Sequence, residues 1–119
     1  MKNPAYIISL AVLSVLLITG CGTKTTTNHD ALAQHLALAG FKVFGTEACG
    51  ACSVQKELFG SSWQYINYEE CTEEGTSYQT ELCKAENIVA YPTWELPDGT
   101  REKGVMTLEE LAEISNFPE

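Results

Sequence analysis

The chain has 119 residues, 16 of them acidic and seven basic, for a formal net charge of -9. That surface is a poor partner for nucleic acid or anionic lipid head groups, and solubility is its expected role ahead of acidic docking. The length allows one compact core and excludes a pair of domains.

A single basic residue, Lys2, precedes an apolar run over residues 5–18. The run is shorter than the roughly 20 residues that cross a bilayer as a helix. It leads into Leu17-Ile18-Thr19-Gly20-Cys21, which is similar to the bacterial lipoprotein cleavage box. Residues 1–20 are therefore expected to be a removable signal, with Cys21 the lipidated terminus that anchors the protein to a membrane. The alternative is an uncleaved or ordinarily cleaved signal followed by an incidental cysteine. Residues 21–28, with Thr23, Thr25, Thr26 and Thr27, lack apolar periodicity and read as the lipidated cysteine and a flexible tether. The expected location is extracytoplasmic and membrane-anchored, in a periplasm or at a cell surface, with residues 29–119 as the folded domain. Setting Cys21 aside from the five cysteines leaves Cys49, Cys52, Cys71 and Cys83, which an oxidising compartment lets pair.

Within the domain, Asp30 is placed to cap a helix whose Leu32, Leu36 and Ala39 share a face, and Gly40 to end it. Residues 41–44 alternate as a strand and Gly45 begins a turn. A helix over 49–59 carries Cys52, Gln55, Lys56 and Phe59 at three- and four-residue spacings, and Gly60 stops it. Residues 63–68 read as a half-buried strand. An acidic loop with Glu69, Glu70, Glu73 and Glu74 leads to a helix over 76–85. Residues 93–96 and 101–104 make a hairpin around Pro97-Asp98-Gly99. Thr107 and Glu110 form a capping box for a last helix whose Leu108, Leu111, Ala112 and Ile114 face the sheet. The expected fold class is α/β, a mixed four-stranded sheet with flanking helices.

The chemistry concentrates in Cys49-Gly50-Ala51-Cys52 at the strand-to-helix turn. Unpaired N–H groups and the positive dipole end of a helix favour thiolate at the first sulfur. Cys49 is thus the expected nucleophile and Cys52 the buried resolving thiol. A four-thiolate zinc site with Cys71 and Cys83 is the metal alternative, and the spacing of that second pair argues against it. No metal or cofactor is expected. His35 reads as a residue of the first helix's surface rather than a ligand. Glu47, two residues before Cys49, is either a proton relay to Cys52 or a solvated turn carboxylate.

The cysteine motif together with Pro92 at the hairpin entrance resembles the thioredoxin superfamily. Ala31-Leu32-Ala33-Gln34-His35-Leu36, Gln55-Lys56-Glu57-Leu58-Phe59-Gly60, Glu81-Leu82-Cys83-Lys84-Ala85, Tyr91-Pro92-Thr93-Trp94-Glu95 and Leu108-Glu109-Glu110-Leu111-Ala112 carry it further. These blocks are similar to the thioredoxin-like domain fused to bacterial and plant homologues of vitamin K epoxide reductase. The resemblance implies a thioredoxin-like fold, a cis bond at Tyr91-Pro92, and a substrate strand held by Tyr91, Pro92 and Thr93. It also implies a second disulfide, Cys71 with Cys83, either structural or a redox relay. Ala48 and Gly50-Ala51 stand where that family usually has tryptophan and Pro-His or Pro-Tyr. Val43 occupies the strand position where thioredoxins often keep a buried carboxylate, which leaves deprotonation of Cys52 to water or Glu47.

The function so implied is a protein thiol-disulfide oxidoreductase acting on exported protein thiols and disulfides. A membrane partner of the vitamin K epoxide reductase type would reset the couple. The alternatives are a non-catalytic lipoprotein with structural disulfides and a dedicated electron carrier to one client.

Overall fold

The computed structural model describes residues 29–118. The expected signal, the lipidated Cys21 and the tether lie outside the described residues. Among those described, no helix is long and apolar enough to cross a membrane.

In chain order the elements are α1 (His29–Ala39), β1 (Lys42–Gly45), α2 (Gly50–Phe59), a 3-10 helix (Gly60–Tyr65), β2 (Tyr68–Glu70), α3 (Glu81–Ala85), β3 (Thr93–Glu95), β4 (Arg101–Lys103) and α4 (Leu108–Ile114). The strands form one sheet in the order β2-β1-β3-β4. β2 runs parallel to β1, with Val43 opposite Tyr68 and Gly45 opposite Glu70. β3 runs antiparallel to β1, and β4 antiparallel to β3. This mixed sheet with flanking helices is a thioredoxin-like fold.

Alternation along β1 divides the interior in two. Val43 faces a core shared with Leu32 and Leu36 of α1, Phe59 of α2, Trp94 of β3 and Leu111 of α4. Phe44 faces the other way, onto Cys71, Cys83 and Ile88, with Tyr91 at its margin. Gln55 is fully buried where α2 crosses the sheet. Its Oε1 accepts from Trp94 Nε1 at 3.0 Å and from the Met106 amide at 2.8 Å, and its Nε2 donates to the Met106 carbonyl at 3.0 Å. One side chain thereby ties α2 to β3 and to the approach to α4, with its polar atoms satisfied.

Several expectations need correction. The stretch 60–65 is a 3-10 helix, and the second strand begins only at Tyr68. Trp63, Tyr65, Ile66 and Tyr68 are aromatic or β-branched, so residue type alone favours a strand where the chain instead turns. Trp63 packs against Phe59 and Tyr68, and the Ser62 hydroxyl donates to Asp30. Asp30 therefore lies within α1 and braces the 3-10 helix instead of capping α1. Leu32, Ala33 and Leu36 are the buried residues of α1, while Ala39 is exposed.

Glu69 and Glu70 belong to β2 and not to the acidic loop. Residues 76–79 are not helical. Glu73 and Tyr78 are joined by a backbone bond of 2.9 Å, and Thr80 caps the short α3 by accepting from the Cys83 amide. The capping box of Thr107 and Glu110 is present, but Ile114 is exposed. His35 is half-buried and works as a clasp between α1 and the end of α4: its Nε2 donates to the Ser115 carbonyl at 2.8 Å, and its ring meets Phe117 edge-on.

Candidate active site

β1 ends at Gly45, and the chain turns through residues 46–48 to enter α2. Cys49 is the N-cap of α2, with extended backbone at φ -91° and ψ 120°. Its side chain is half-exposed and makes no cap hydrogen bond. The Cys52 amide, pointing out of the first turn, holds the Cys49 thiol below its ordinary range. Burial opposes this, and the Cys52 thiol and the Ala51 amide add to it. The expected asymmetry between the two sulfurs is present. Cys52 is only 2% exposed, and burial pushes its thiol up to about 11. The neighbouring Cys49 raises it further, while the Thr46 backbone and Lys56, one turn along α2, pull the other way. Both cysteines are free thiols.

The hairpin entrance packs over this pair. The Tyr91-Pro92 peptide bond is cis. The Cys49 thiol donates to the Tyr91 carbonyl across 3.5 Å. Pro92 is fully buried, and its carbonyl accepts from the Gly104 amide at 2.8 Å. Thr93 does not face outward: it is 3% exposed, and its hydroxyl donates to the Ala90 carbonyl at 2.7 Å. Tyr91 is half-buried, with its hydroxyl accepting from Gln79 at 2.8 Å. Of the three residues expected to hold a substrate strand, Tyr91 meets Cys49 through its carbonyl, while Pro92 and Thr93 are buried.

Cys71 and Cys83 are joined by a disulfide and completely buried. The bridge removes both thiols from any four-thiolate zinc site, and no cluster able to hold a metal occurs among the described residues. Glu47 is exposed. It lines a cavity of about 410 Å³ together with Glu70, Glu73 and Glu74, beside the turn into α2.

Sequence reasoning missed the residues that pack against Cys52. Gly45 has no side chain, and the space is taken from both sides. A Cβ there would lie 3.0 Å from Cys52 Sγ, 3.0 Å from Tyr68 Cε2 and 3.4 Å from the Tyr68 hydroxyl. That hydroxyl donates to Glu70 Oε2 at 2.6 Å, while Glu70 Oε1 accepts from the Thr72 amide at 3.0 Å. Lys56 Nζ lies 4.6 Å over the Tyr68 ring. Tyr68 and Glu70, two apart on a strand, share a face, and the glycine opposite Glu70 was the available clue.

No family model matches the chain. It is 38% identical over 91 residues to "Thiol-disulfide oxidoreductase LTO1" of Arabidopsis thaliana, a match covering 73% of this chain and 24% of that protein. The chain thus spans about a quarter of the length of the curated relative it matches. Fold, cysteine pair and relative together support a place in the thioredoxin-like redox superfamily, and with it a redox function.

Proposed function

We propose that the protein is a membrane-anchored, extracytoplasmic thiol-disulfide oxidoreductase acting on exported proteins through Cys49 and Cys52. The observation that carries this reading is the opposite tuning of two free thiols one helical turn apart. Cys49 is half-exposed with its thiol lowered by the helix amides, and Cys52 is buried and raised. A nucleophile needs the first environment, and a resolving thiol that must not compete for substrate suits the second.

In the reducing direction the Cys49 thiolate attacks a substrate disulfide and one substrate sulfur leaves as a thiolate. Cys52 then attacks Cys49 Sγ, forming the intramolecular disulfide and releasing the second substrate thiolate. In the oxidising direction the same steps run backward. The Tyr91-Pro92 segment, against Cys49, is where an extended substrate backbone would pair. The lipobox ending at Cys21 supports the anchor, and resetting by a vitamin K epoxide reductase-type membrane protein is a proposal from the family resemblance. The reading with both disulfides structural fits poorly with an accessible, acidified Cys49.

Disulfide exchange with a small protein substrate tests the proposal. Cys49→Ser should abolish exchange, and full exchange by that variant would overturn the assignment.

A further inference from the structure

The resolving step needs a base, because Cys52 must lose a proton from a buried site. Val43 on β1 is apolar and buried in the main core. Glu47 is exposed on the rim of the cavity beside the turn, where its charge acts on Tyr68. Tyr68 is different: its ring and hydroxyl close on the same point beyond Gly45 as Cys52 Sγ does. Glu70 anchors the hydroxyl at 2.6 Å and opens onto the cavity of about 410 Å³, which leads to solvent.

We propose that Tyr68 is a catalytic residue that takes the Cys52 proton during resolution and hands its own to Glu70, the residue that positions it. This rests on the oxidoreductase reading above. In the mixed disulfide between Cys49 and a substrate sulfur, the Cys52 proton passes to the Tyr68 oxygen as the Tyr68 proton passes to Glu70. The Cys52 thiolate attacks Cys49 Sγ, the Cys49–Cys52 bond forms, and the bond to substrate breaks. The substrate sulfur departs with the electron pair. The two cysteines lose the two electrons that reduce the substrate disulfide, and the proton on Glu70 leaves through the cavity.

The groups facing Cys52 from each surrounding element fit this assignment. The turn contributes the Thr46 backbone and the Glu47 charge, which acts on Tyr68; Cys49 and Lys56 belong to α2, and Tyr68 with Glu70 comes from β2. Burial and the Glu70 carboxylate hold the Tyr68 hydroxyl protonated well above its ordinary range. It therefore serves as a relay and not as a standing base.

Mixing the dithiol protein with the aromatic disulfide dithionitrobenzoate tests the relay. One coloured thiolate is released when Cys49 attacks and another when Cys52 resolves, so the two rates separate in a rapid-mixing trace. Tyr68→Phe and Glu70→Gln should each slow the second phase about 100-fold at neutral pH, the low end for general-base assistance, and leave the first unchanged. The slowed phase should rise about tenfold per pH unit, following the free thiolate, where the unaltered protein's is flatter. Glu69→Gln, on the opposite face of β2 from Tyr68 and Glu70, should change neither phase. An undiminished second phase in either variant overturns the relay, as does an equal loss in Glu69→Gln. Absence of the first phase in the unaltered protein would instead overturn the oxidoreductase reading itself.

Discussion

Cys49 Sγ lies 3.5 Å from the carbonyl oxygen of Tyr91, so the thiol at the start of α2 is held by the backbone of the hairpin entrance. The contact spans 42 residues of sequence and joins the two segments that a substrate would have to meet together. In the thiol form the proton sits between sulfur and carbonyl. Loss of that proton turns a hydrogen bond into a repulsion, which leaves the thiolate facing outward under the influence of the α2 amides.

The opposite shifts of the two thiols predict an order of alkylation. Between pH 7 and 9, iodoacetamide should modify Cys49 first, with Cys52 labelled only as pH approaches about 11. Mass spectrometry of the partly labelled protein gives the order, and equal labelling at pH 8 would contradict it. Because the Cys52 value is raised on folding, its contribution to dithiol stability is complete below its ordinary 9.0 and is lost as pH rises toward about 11. Urea unfolding should show a decline of about 2 kcal/mol over that interval, reduced in Cys52→Ala. Tyr68, also raised, contributes to the same decline at the alkaline end.

Gln55→Leu should destabilise the fold by about 2–4 kcal/mol, since it strands the Trp94 indole N–H and the Met106 amide without their acceptor. Chemical denaturation measures the loss. At low temperature, where the variant remains folded, the attack by Cys49 should keep its rate.

Replacing Cys71 and Cys83 together with alanine opens a loop with a sequence separation of 12 and should cost about 3 kcal/mol. Exchange at Cys49–Cys52, scaled to the folded fraction, should persist. The complete burial of the bridge is the basis for this expectation, because a thiol cannot reach either sulfur without local opening.

Gly45→Ala should cost about 1–3 kcal/mol, as the new methyl meets Cys52 Sγ and Tyr68 Cε2 at 3.0 Å. Thermal unfolding reports the stability. If Tyr68 yields by turning away from Cys52, the resolving phase slows while the first attack is preserved.

The chain's punctuation made much of the fold legible. Gly40 ends α1 with φ at +95°, Gly60 closes α2, and Thr107 with Glu110 opens α4, each a local backbone requirement that residue type announces. The cysteine pair could be placed because strand, turn and helix follow one another without interruption. The 3-10 helix at 60–65 could not, since it is braced by the Ser62 hydroxyl on Asp30 of α1, 32 residues earlier, a contact that no local pattern announces. The same holds for residues 76–79, whose polar side chains serve an irregular loop tied back to Cys71 through the Thr80 amide. Tyr68 and Glu70 escaped notice because their relation to Cys52 exists only through the register of β2 on β1 and the missing side chain of Gly45.

Trapping the covalent intermediate separates the roles of the two sulfurs. Cys52→Ser, incubated with a disulfide-containing protein substrate and quenched with acid, should accumulate a mixed disulfide that peptide mapping assigns to Cys49. The Cys49→Ser variant should accumulate none. An adduct that forms equally in both variants, or in neither, would contradict the assignment of Cys49 as nucleophile and Cys52 as resolving thiol.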